Sequence, residues 1–189
     1  APTDAALGAA IVDDERVRER RRAADSLHEH ERELRLELRR HRRIDAVADD
    51  AVLVDPVVLA GLPEALRARQ PVFDRTGGVH AAALATPEGE LLVVREDVGR
   101  HNAVDKVVGA MARERELPFS ATVLVVSARA SFEIVQKASV AGIPVVVAVG
   151  AASSLAVDLA THAGITLVAF ARPPHLSVYS RPDRLLGGA

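Results

Sequence analysis

One short stretch of the sequence, residues 93–111, places several ionisable side chains between two apolar segments. It reads VVREDVGRHNAVDKVVGAM, in which carboxylates, guanidinium groups and an imidazole follow a strand-like run and precede a helix-like one. Side chains of these types bind anions, exchange protons near neutral pH, or pair with one another. Two interpretations therefore stay open: an ion-paired surface loop with one helix cap, or part of a ligand-binding cleft.

A second group of residues with possible chemistry lies upstream, in the segment TGGVH. Its two glycines would let a ligand approach the backbone closely, and its histidine could donate or accept a proton. Both groups stand at the ends of predicted elements, so we expect them to line one cleft. Two histidines with carboxylates could also bind a metal ion. Their spacing matches no strong ligand motif, however, and no metal is predicted. The residues predicted to line this cleft are Thr76, Gly77, Gly78, His80, Asp97, Arg100 and His101.

Three further segments follow predicted strands and are small, polar or glycine-bearing: SARAS at 127–131, GAASS at 150–154 and FARPPH at 170–175. In parallel α/β sheets, ligands bind beyond the carboxyl ends of the strands, where helix N-termini present free N–H groups. The two cations in these segments, Arg129 and Arg172, favour a phosphate-bearing ligand, with ordinary surface turns as the alternative. The sequence has neither a Walker loop nor a G-x-G-x-x-G motif, so the commonest nucleotide folds are not indicated.

The elements that must position these residues follow from hydrophobic patterning. HAAALAT and ELLVV, joined by Pro87-Glu88-Gly89, predict a β-hairpin. Asn102 is then expected to cap a helix, with Asp105 three residues later as in a capping box. TVLVVS, PVVVAV and TLVAFA predict buried strands, separated by helices that end near Gly142 and Gly164. This β-α-β-α-β order predicts adjacent parallel strands with right-handed crossovers.

The upstream part of the chain has a different character. Residues 1–50 are rich in arginine and glutamate, with a helix-like segment at Val17–Leu27 and strand-like alternating leucines in RELRLELRR. They predict a small or incomplete α+β unit, ahead of a main domain spanning residues 51–189. Asp55 and Pro56 are expected to begin the first helix of that domain, and Pro63 to interrupt it.

Composition limits the classes of function. The net charge is −2 and the pI is about 6.4, so no global field attracts nucleic acid or an anionic membrane. The longest uncharged run is broken at Gly142 and Pro144, which favours a buried α/β core over a membrane span. Nothing resembles a signal peptide, so a soluble, cytoplasmic protein is expected. The sequence contains no cysteine, which excludes disulfides, cysteine-ligated zinc and a thiolate nucleophile.

Four segments carry a family resemblance: TGGVHAAAL, GELLVVREDVGRHNAVDKVVG, SARASFEIVQKASVAGIPVVVAV and SSLAVDLATHAGITLVAFAR…SVYSRPDRL. Together they resemble the formate dehydrogenase accessory sulfurtransferase (FdhD) family, densely from about Leu62 to Leu185. The resemblance implies a cytidine-deaminase-like three-layer α/β sandwich with a mixed, largely parallel sheet. Members of that family pass sulfur from a cysteine desulfurase to the molybdenum cofactor before it enters formate dehydrogenase, and they are commonly dimeric.

The resemblance also implies a ligand and its binding residues. The ligand would be molybdenum bis(molybdopterin guanine dinucleotide), whose guanine end GDP mimics. Cysteine desulfurase and formate dehydrogenase would be the protein partners, and the chain would form a homodimer. The implied cofactor-binding segment is Phe170, Ala171, Arg172, Pro173, Pro174 and His175, and the neighbouring strand end adds Arg129 and Ser131 to the predicted site.

The chain departs from the family at its reactive group. The family's sulfur carrier is a cysteine in a Cys-x-x-Cys loop, expected where this chain reads RRIDAVADDAVLVDPVVL. A persulfide needs a thiol, and the thioether of Met111 cannot replace one. No catalytic residue is therefore predicted, and enzymatic activity is left open. Two functions follow: an accessory sulfur-transfer protein for formate dehydrogenase, or a cysteine-free cofactor-binding or chaperone module. A zinc deaminase fails for want of metal-binding cysteines.

Overall fold

A six-stranded mixed sheet organises residues 45–187, the part of the chain that this computed structural model describes. The order across the sheet is β2-β1-β3-β4-β5-β6. The strands are β1 (His80–Ala85), β2 (Leu91–Asp97), β3 (Val123–Val126), β4 (Val145–Ala148), β5 (Thr166–Arg172) and β6 (His175–Ser180).

Helices connect these strands and cover the sheet. Over the described residues they are α1 (Asp45–Ala48), α2 (Pro56–Arg67), α3 (Pro71–Thr76), α4 (Arg100–Met111), α5 (Phe132–Ala141) and α6 (Ser154–Ala163), with a short 3-10 helix at Pro182–Arg184. None of the described helices has the length and apolar character needed to cross a bilayer.

The predicted β-α-β-α-β order is confirmed. Strands β3, β4 and β5 are adjacent and parallel, with Val125 opposite Val147 and Val147 opposite Val168. The predicted hairpin is confirmed as well, since β1 pairs antiparallel with β2 and also with β3. The sheet is mixed, as expected, and its parallel part is the central three strands.

Side-chain alternation along the strands divides the apolar residues between two helix layers. One set, which includes Ala83, Val125 and Val147, packs against α2 through Leu59 and Leu62. Helices α4, α5 and α6 form the other layer, whose buried side chains lie outside that cluster. The result is the three-layer arrangement predicted from the family resemblance.

The predicted cap of α4 is wrong. The helix begins at Arg100 after Gly99, and Asn102 lies within its first turn. Asp97 closes the turn instead, because its carboxylate accepts from the N–H of Gly99 at 2.9 Å and from Asn102 Nδ2 at 3.2 Å. Asp105 forms no capping box and binds Lys137 Nζ on α5 at 2.6 Å.

The predicted interruption of α2 at Pro63 is also wrong. Asp55 caps the helix by accepting from the N–H of Val57 at 2.8 Å, as expected, and α2 then continues through Pro63 to Arg67. A proline removes one helical N–H without forcing the helix to end. The consequence is a helix long enough to cross the sheet and reach the carboxyl ends of its parallel strands.

The segment predicted as a free strand end at 170–175 continues into another strand. Strand β5 extends to Arg172, turns at Pro173–Pro174 and returns as the antiparallel strand β6 from His175, which the patterning did not predict. Phe170 lies at a bulge in this hairpin with a positive φ of 52° and is 46% exposed.

The predicted N-terminal unit at residues 1–50, including the Val17–Leu27 helix, lies outside the described residues except for 45–50. That last part is held against the main domain by the buried side chain of Arg184, which is 2% exposed. Its guanidinium donates to the backbone oxygens of Asp50 at 3.0 Å, of Pro144 at 3.2 Å and of Val47. Burial lowers the pKa of this guanidinium, but arginine stays charged in proteins.

Candidate functional site

A pocket of about 600 Å³ opens where the carboxyl ends of β3, β4 and β5 meet α2, α3 and the start of β1. Its volume lies in the range of small-molecule and cofactor sites, roughly 300–1,000 Å³. The residue after β3, Ser127, and the residue after β4, Val149, both line the pocket. The position agrees with the general rule that ligands of α/β sheets bind beyond the carboxyl ends of the strands.

Two groups of sequence-predicted residues meet in this pocket although they are far apart in the chain. One group is Gly77, Gly78 and His80, and the other is Ala171, Arg172 and Pro173. Arg172 is exposed at the mouth, and Ala171 is 1% exposed. The remaining predicted members of these segments are not among the lining residues; they are Thr76, Phe170, Pro174 and His175.

Helix α2 supplies a second guanidinium to the pocket. Arg67 binds the Asp74 carboxylate at 2.7 Å, and its guanidinium carbon lies 4.7 Å from the centre of the Phe73 ring. A guanidinium that stacks on an aromatic face and pairs with a carboxylate loses little freedom when it binds a further anion. Arg67 therefore gives the rim a positive group that is already oriented.

The opposite wall, α3, is held in place by Glu96, which belongs to the ionisable stretch 93–111. The Glu96 carboxylate accepts from the N–H of Val72 and from the N–H of Phe73, both at 2.8 Å. An acidic side chain at a helix N-terminus satisfies free N–H groups and complements the helix dipole. Glu96 thereby positions Phe73 and the α3 C-terminus, where Gly77 adopts a φ of 63° that favours glycine.

The neighbouring carboxylate, Asp97, stabilises the entry into α4. It forms an ion pair with Lys106 and accepts hydrogen bonds from Gly99 and Asn102. The Lys106 hydrogen bond, followed by that of the Gly99 N–H, lowers the pKa of Asp97 to about 2. Its contacts are those of a structural group, and it does not line the pocket.

His101 and Ser131 form a separate cluster at the starts of α4 and α5. His101 Nε2 lies 3.0 Å from Ser131 Oγ and 3.6 Å from a Glu133 carboxylate oxygen. The backbone N–H of Glu133 and then the Ser131 hydroxyl lower the pKa of the Glu133 carboxylate, with smaller contributions from His101 and Arg100. Arg100 Nε is buried and has no partner among the described residues.

The predicted shared cleft is thus divided between two places. His80 and the glycine turn line the pocket, whereas Asp97, Arg100 and His101 are not among its lining residues. Ser131 is the N-cap residue of α5, but its hydroxyl contacts His101 and does not cap the helix. A ligand-binding role for these residues stays a prediction.

Arg129 is exposed after β3, outside the pocket lining. Its backbone packs so closely on Gly150 that a Cβ added there would lie 3.2 Å from the Arg129 nitrogen. Its predicted role in ligand binding likewise stays a prediction. Within the described range, no cluster of three or more histidine, aspartate or glutamate side chains could hold a metal ion.

The sequence analysis missed the pocket residues from α2 and from the α2–α3 connection, whereas Ser127 belongs to the predicted segment 127–131. Gln70 is the most informative of these, because it is 3% exposed although polar. It continues the buried spacing of Leu59, Leu62 and Leu66, so a polar residue in an apolar register was the available signal. Ser127 extends the pocket-facing side of β3 in the same way, and its Oγ accepts from the N–H of Ala81 at 2.8 Å.

Comparisons with known proteins agree with the fold and the sequence segments. Residues 5–186 match the profile of the FdhD/NarQ family. The chain is 62% identical over 134 residues to the sulfur carrier protein FdhD of Streptomyces coelicolor, covering 71% of this chain and 48% of that protein. It is 56% identical over 138 residues to the protein of the same name from Mycolicibacterium paratuberculosis, covering 73% and 51%.

A solved structure is similar as well. The crystal structure of a candidate formate dehydrogenase accessory protein from Desulfotalea psychrophila superimposes with a TM-score of 0.65 at 32% identity, covering 71% of this chain and 60% of that one. The chain spans about half the length of the curated relatives it matches.

Proposed function

The chain belongs to the FdhD/NarQ family, and from that premise we propose that residues 45–187 bind the guanine-nucleotide end of a molybdenum cofactor during maturation of formate dehydrogenase. The observation that carries the proposal is the pocket of about 600 Å³ in which Gly77, Gly78 and His80 meet Ala171, Arg172 and Pro173. Its size suits one nucleotide, so the rest of a bis(molybdopterin guanine dinucleotide) cofactor would extend outside it.

The lining of the pocket is compatible with a nucleotide. Phe73, Val79, Val149 and Pro173 supply apolar surface for a flat ring. Arg172 and Arg67 stand at the exposed side, where guanidinium groups bind phosphate oxygens in bidentate fashion. The bound cofactor would supply the molybdenum to which sulfur is delivered, and the residues of this chain would hold and orient it.

Sulfur transfer is a separate proposal, because it needs a group that this sequence lacks. The relatives are named sulfur carriers, but the 189 residues contain no cysteine to form a persulfide. We therefore propose a holding function for this chain, with cysteine desulfurase and formate dehydrogenase as the proteins between which it acts. Incubation with a persulfide-loaded cysteine desulfurase should leave the intact mass unchanged, whereas a gain of one sulfur atom would contradict the holding function.

Calorimetric titration with GDP tests the nucleotide site directly. We expect micromolar binding, about −8 kcal/mol, and a loss of affinity of at least tenfold in Arg172→Ala. Arg95→Ala is the control, since Arg95 is also an exposed arginine but neither lines the pocket nor belongs to the predicted site. It should change the affinity less than about threefold.

Two results would reject this function. The first is an absence of binding at millimolar GDP. The second is an equal loss of affinity in both arginine variants, which would indicate general attraction of an anion by surface charge.

A further inference from the structure

Gln70 is a buried polar side chain that faces the pocket. It is 3% exposed and belongs to the pocket lining. Within residues 45–187 no hydrogen bond involves its side-chain amide, and it does not cap α3. Because Gln70 lines the pocket, a ligand bound there can contact this side chain.

The position of Gln70 in the chain does not explain its side chain. Gln70 precedes α3 as its N-cap residue, but its side chain does not cap the helix. The Glu96 carboxylate binds the first free N–H groups of α3 instead. A glutamine here is thus unnecessary for the helix, and an apolar residue would suit its buried location better.

The chemistry of the amide specifies what would pair with it. A glutamine side chain presents a carbonyl acceptor and an N–H donor side by side. Leaving both unpaired in a buried site is unfavourable, so a ligand that pairs with both gains affinity over one that pairs with a single group. The matching edge has a donor beside an acceptor, as the lactam edge of a 6-oxopurine has.

The surrounding charges fix the direction in which such a ligand enters. Gln70 is buried in the pocket wall, whereas Arg67 and Arg172 are exposed lining residues. We propose that Gln70 determines ligand specificity by hydrogen bonding the donor–acceptor edge of a nucleobase, with the phosphates directed toward the two arginines. This inference rests on the proposed nucleotide site and adds the group that selects the base.

Two nucleotides that differ only at the base edge test the inference in the wild-type protein. Inosine 5′-diphosphate carries the 6-oxo group and the N1–H, and purine riboside 5′-diphosphate lacks both. We expect the inosine nucleotide to bind at least tenfold more tightly by calorimetry. Equal affinities would overturn the role of Gln70 without the need for any variant.

A variant then assigns the discrimination to Gln70. Gln70→Met keeps the length and shape of the side chain and removes the amide, so the affinity ratio of the two nucleotides should fall to within about twofold of one. Gln136→Met is the control, because it makes the same change on α5 outside the pocket and should keep the wild-type ratio. A ratio that survives Gln70→Met would overturn the inference.

The outcome also separates this inference from the proposed function. If GDP binds and Arg172→Ala weakens it, the nucleotide site stands, and a ratio near one in the wild type rejects only the role of Gln70. If no nucleotide binds at millimolar concentration, the proposed function fails, and the role of Gln70 fails with it.

Discussion

Glu96 and Asp97 are adjacent carboxylates that stabilise different elements. Glu96 accepts from two N–H groups at the start of α3, and Asp97 binds the turn that leads into α4 together with Lys106. Lys106 also donates to the backbone oxygen of Glu96 at 3.2 Å, which ties the two arrangements together. The ionisable residues at the end of β2 thus support the pocket wall from outside it.

The pKa of Asp97 provides a direct test of this arrangement. A ¹³C NMR titration of the side-chain carboxyl should give a value of about 2. Lys106→Met should raise that pKa toward the ordinary value of 3.8, because the Lys106 hydrogen bond is its main cause. Lys137→Met, which removes the partner of Asp105, should leave the Asp97 titration unchanged. A wild-type pKa near 3.8 would show that the ion pair does not form.

The same pKa shift predicts a pH dependence of stability. The pKa of Asp97 is lower in the folded protein than the ordinary value of 3.8, so the carboxylate stabilises the fold above about pH 4. That contribution is lost as the pH falls through about 2. Asp97→Asn should therefore lower the Tm at pH 7, and the difference from wild type should shrink between pH 4 and pH 2. A Tm difference that is constant over this range would contradict the linkage.

At this scale the sequence predicted a helix start within the 93–111 stretch but not which partner each side chain binds. The ion-paired loop was one of two interpretations left open, and Asp97 does pair with Lys106 there. Asn102 was expected to cap the helix because Asp105 follows it at capping-box spacing, whereas Asp97, of an equally good capping type, lies five positions earlier. The choice depends on how β2 directs the Asp97 side chain, which pairing across the sheet decides.

At the scale of elements, continuous apolar runs with glycine at their ends predicted the central βαβαβ unit correctly. Such runs are typical of strands buried on both faces, which β3, β4 and β5 are. Strand β6 was missed because it is an edge strand whose apolar residues Leu176 and Val178 are only partly buried, directly after two prolines. Prolines favour turns, and here the turn joins two strands of a hairpin.

The end of α5 allows a glycine test with opposite expected signs. Gly142 has a φ of 72°, and an added Cβ would lie 2.2 Å from Pro118 Cβ. Gly142→Ala should therefore lower the free energy of unfolding by about 2–4 kcal/mol, through backbone strain and overpacking. Gly109→Ala, in the last turn of α4 with open space around it, should raise that free energy by about 0.5–1 kcal/mol.

Urea denaturation of both glycine variants measures these changes. If the two substitutions changed stability by the same amount, then the left-handed turn at Gly142 and its contact with Pro118 would not be as described. The Gly109 variant also reports whether α4, which carries His101, tolerates an alanine without disturbing the sheet.

At the scale of the whole molecule, the pocket depends on contacts between segments that are distant in sequence. Gly77 and Arg172 were each predicted as ligand-facing because of residue type, and their meeting follows from the sheet order. The contributions of Arg67 and Gln70 were not predicted, since Pro63 was expected to interrupt the helix that precedes Gln70. Continuation of α2 past that proline is the physical reason why one wall of the site was missed.

Arg184 connects three segments of the molecule that are far apart in the sequence. Its guanidinium binds backbone oxygens of residues 47–50, of Pro144 before β4, and of Gly164 before β5. Carbonyl groups in the protein interior require hydrogen-bond donors, and a single arginine provides five. The side chain is therefore a structural connection, and it does not line the pocket.

Replacement of this residue should destabilise the whole domain. Arg184→Met keeps an unbranched apolar side chain but leaves several buried carbonyls unpaired, so we expect a loss of about 3–5 kcal/mol in the free energy of unfolding. For a domain of this size the Tm would fall by about 10 °C. Arg95→Met is the control, since Arg95 is exposed and, within residues 45–187, donates only to the carbonyl of Val94; its effect should stay within about 0.5 kcal/mol. If Arg184→Met unfolded at the wild-type Tm, residues 47–50 would not depend on this guanidinium, and the attachment described for the N-terminal end of the domain would be wrong.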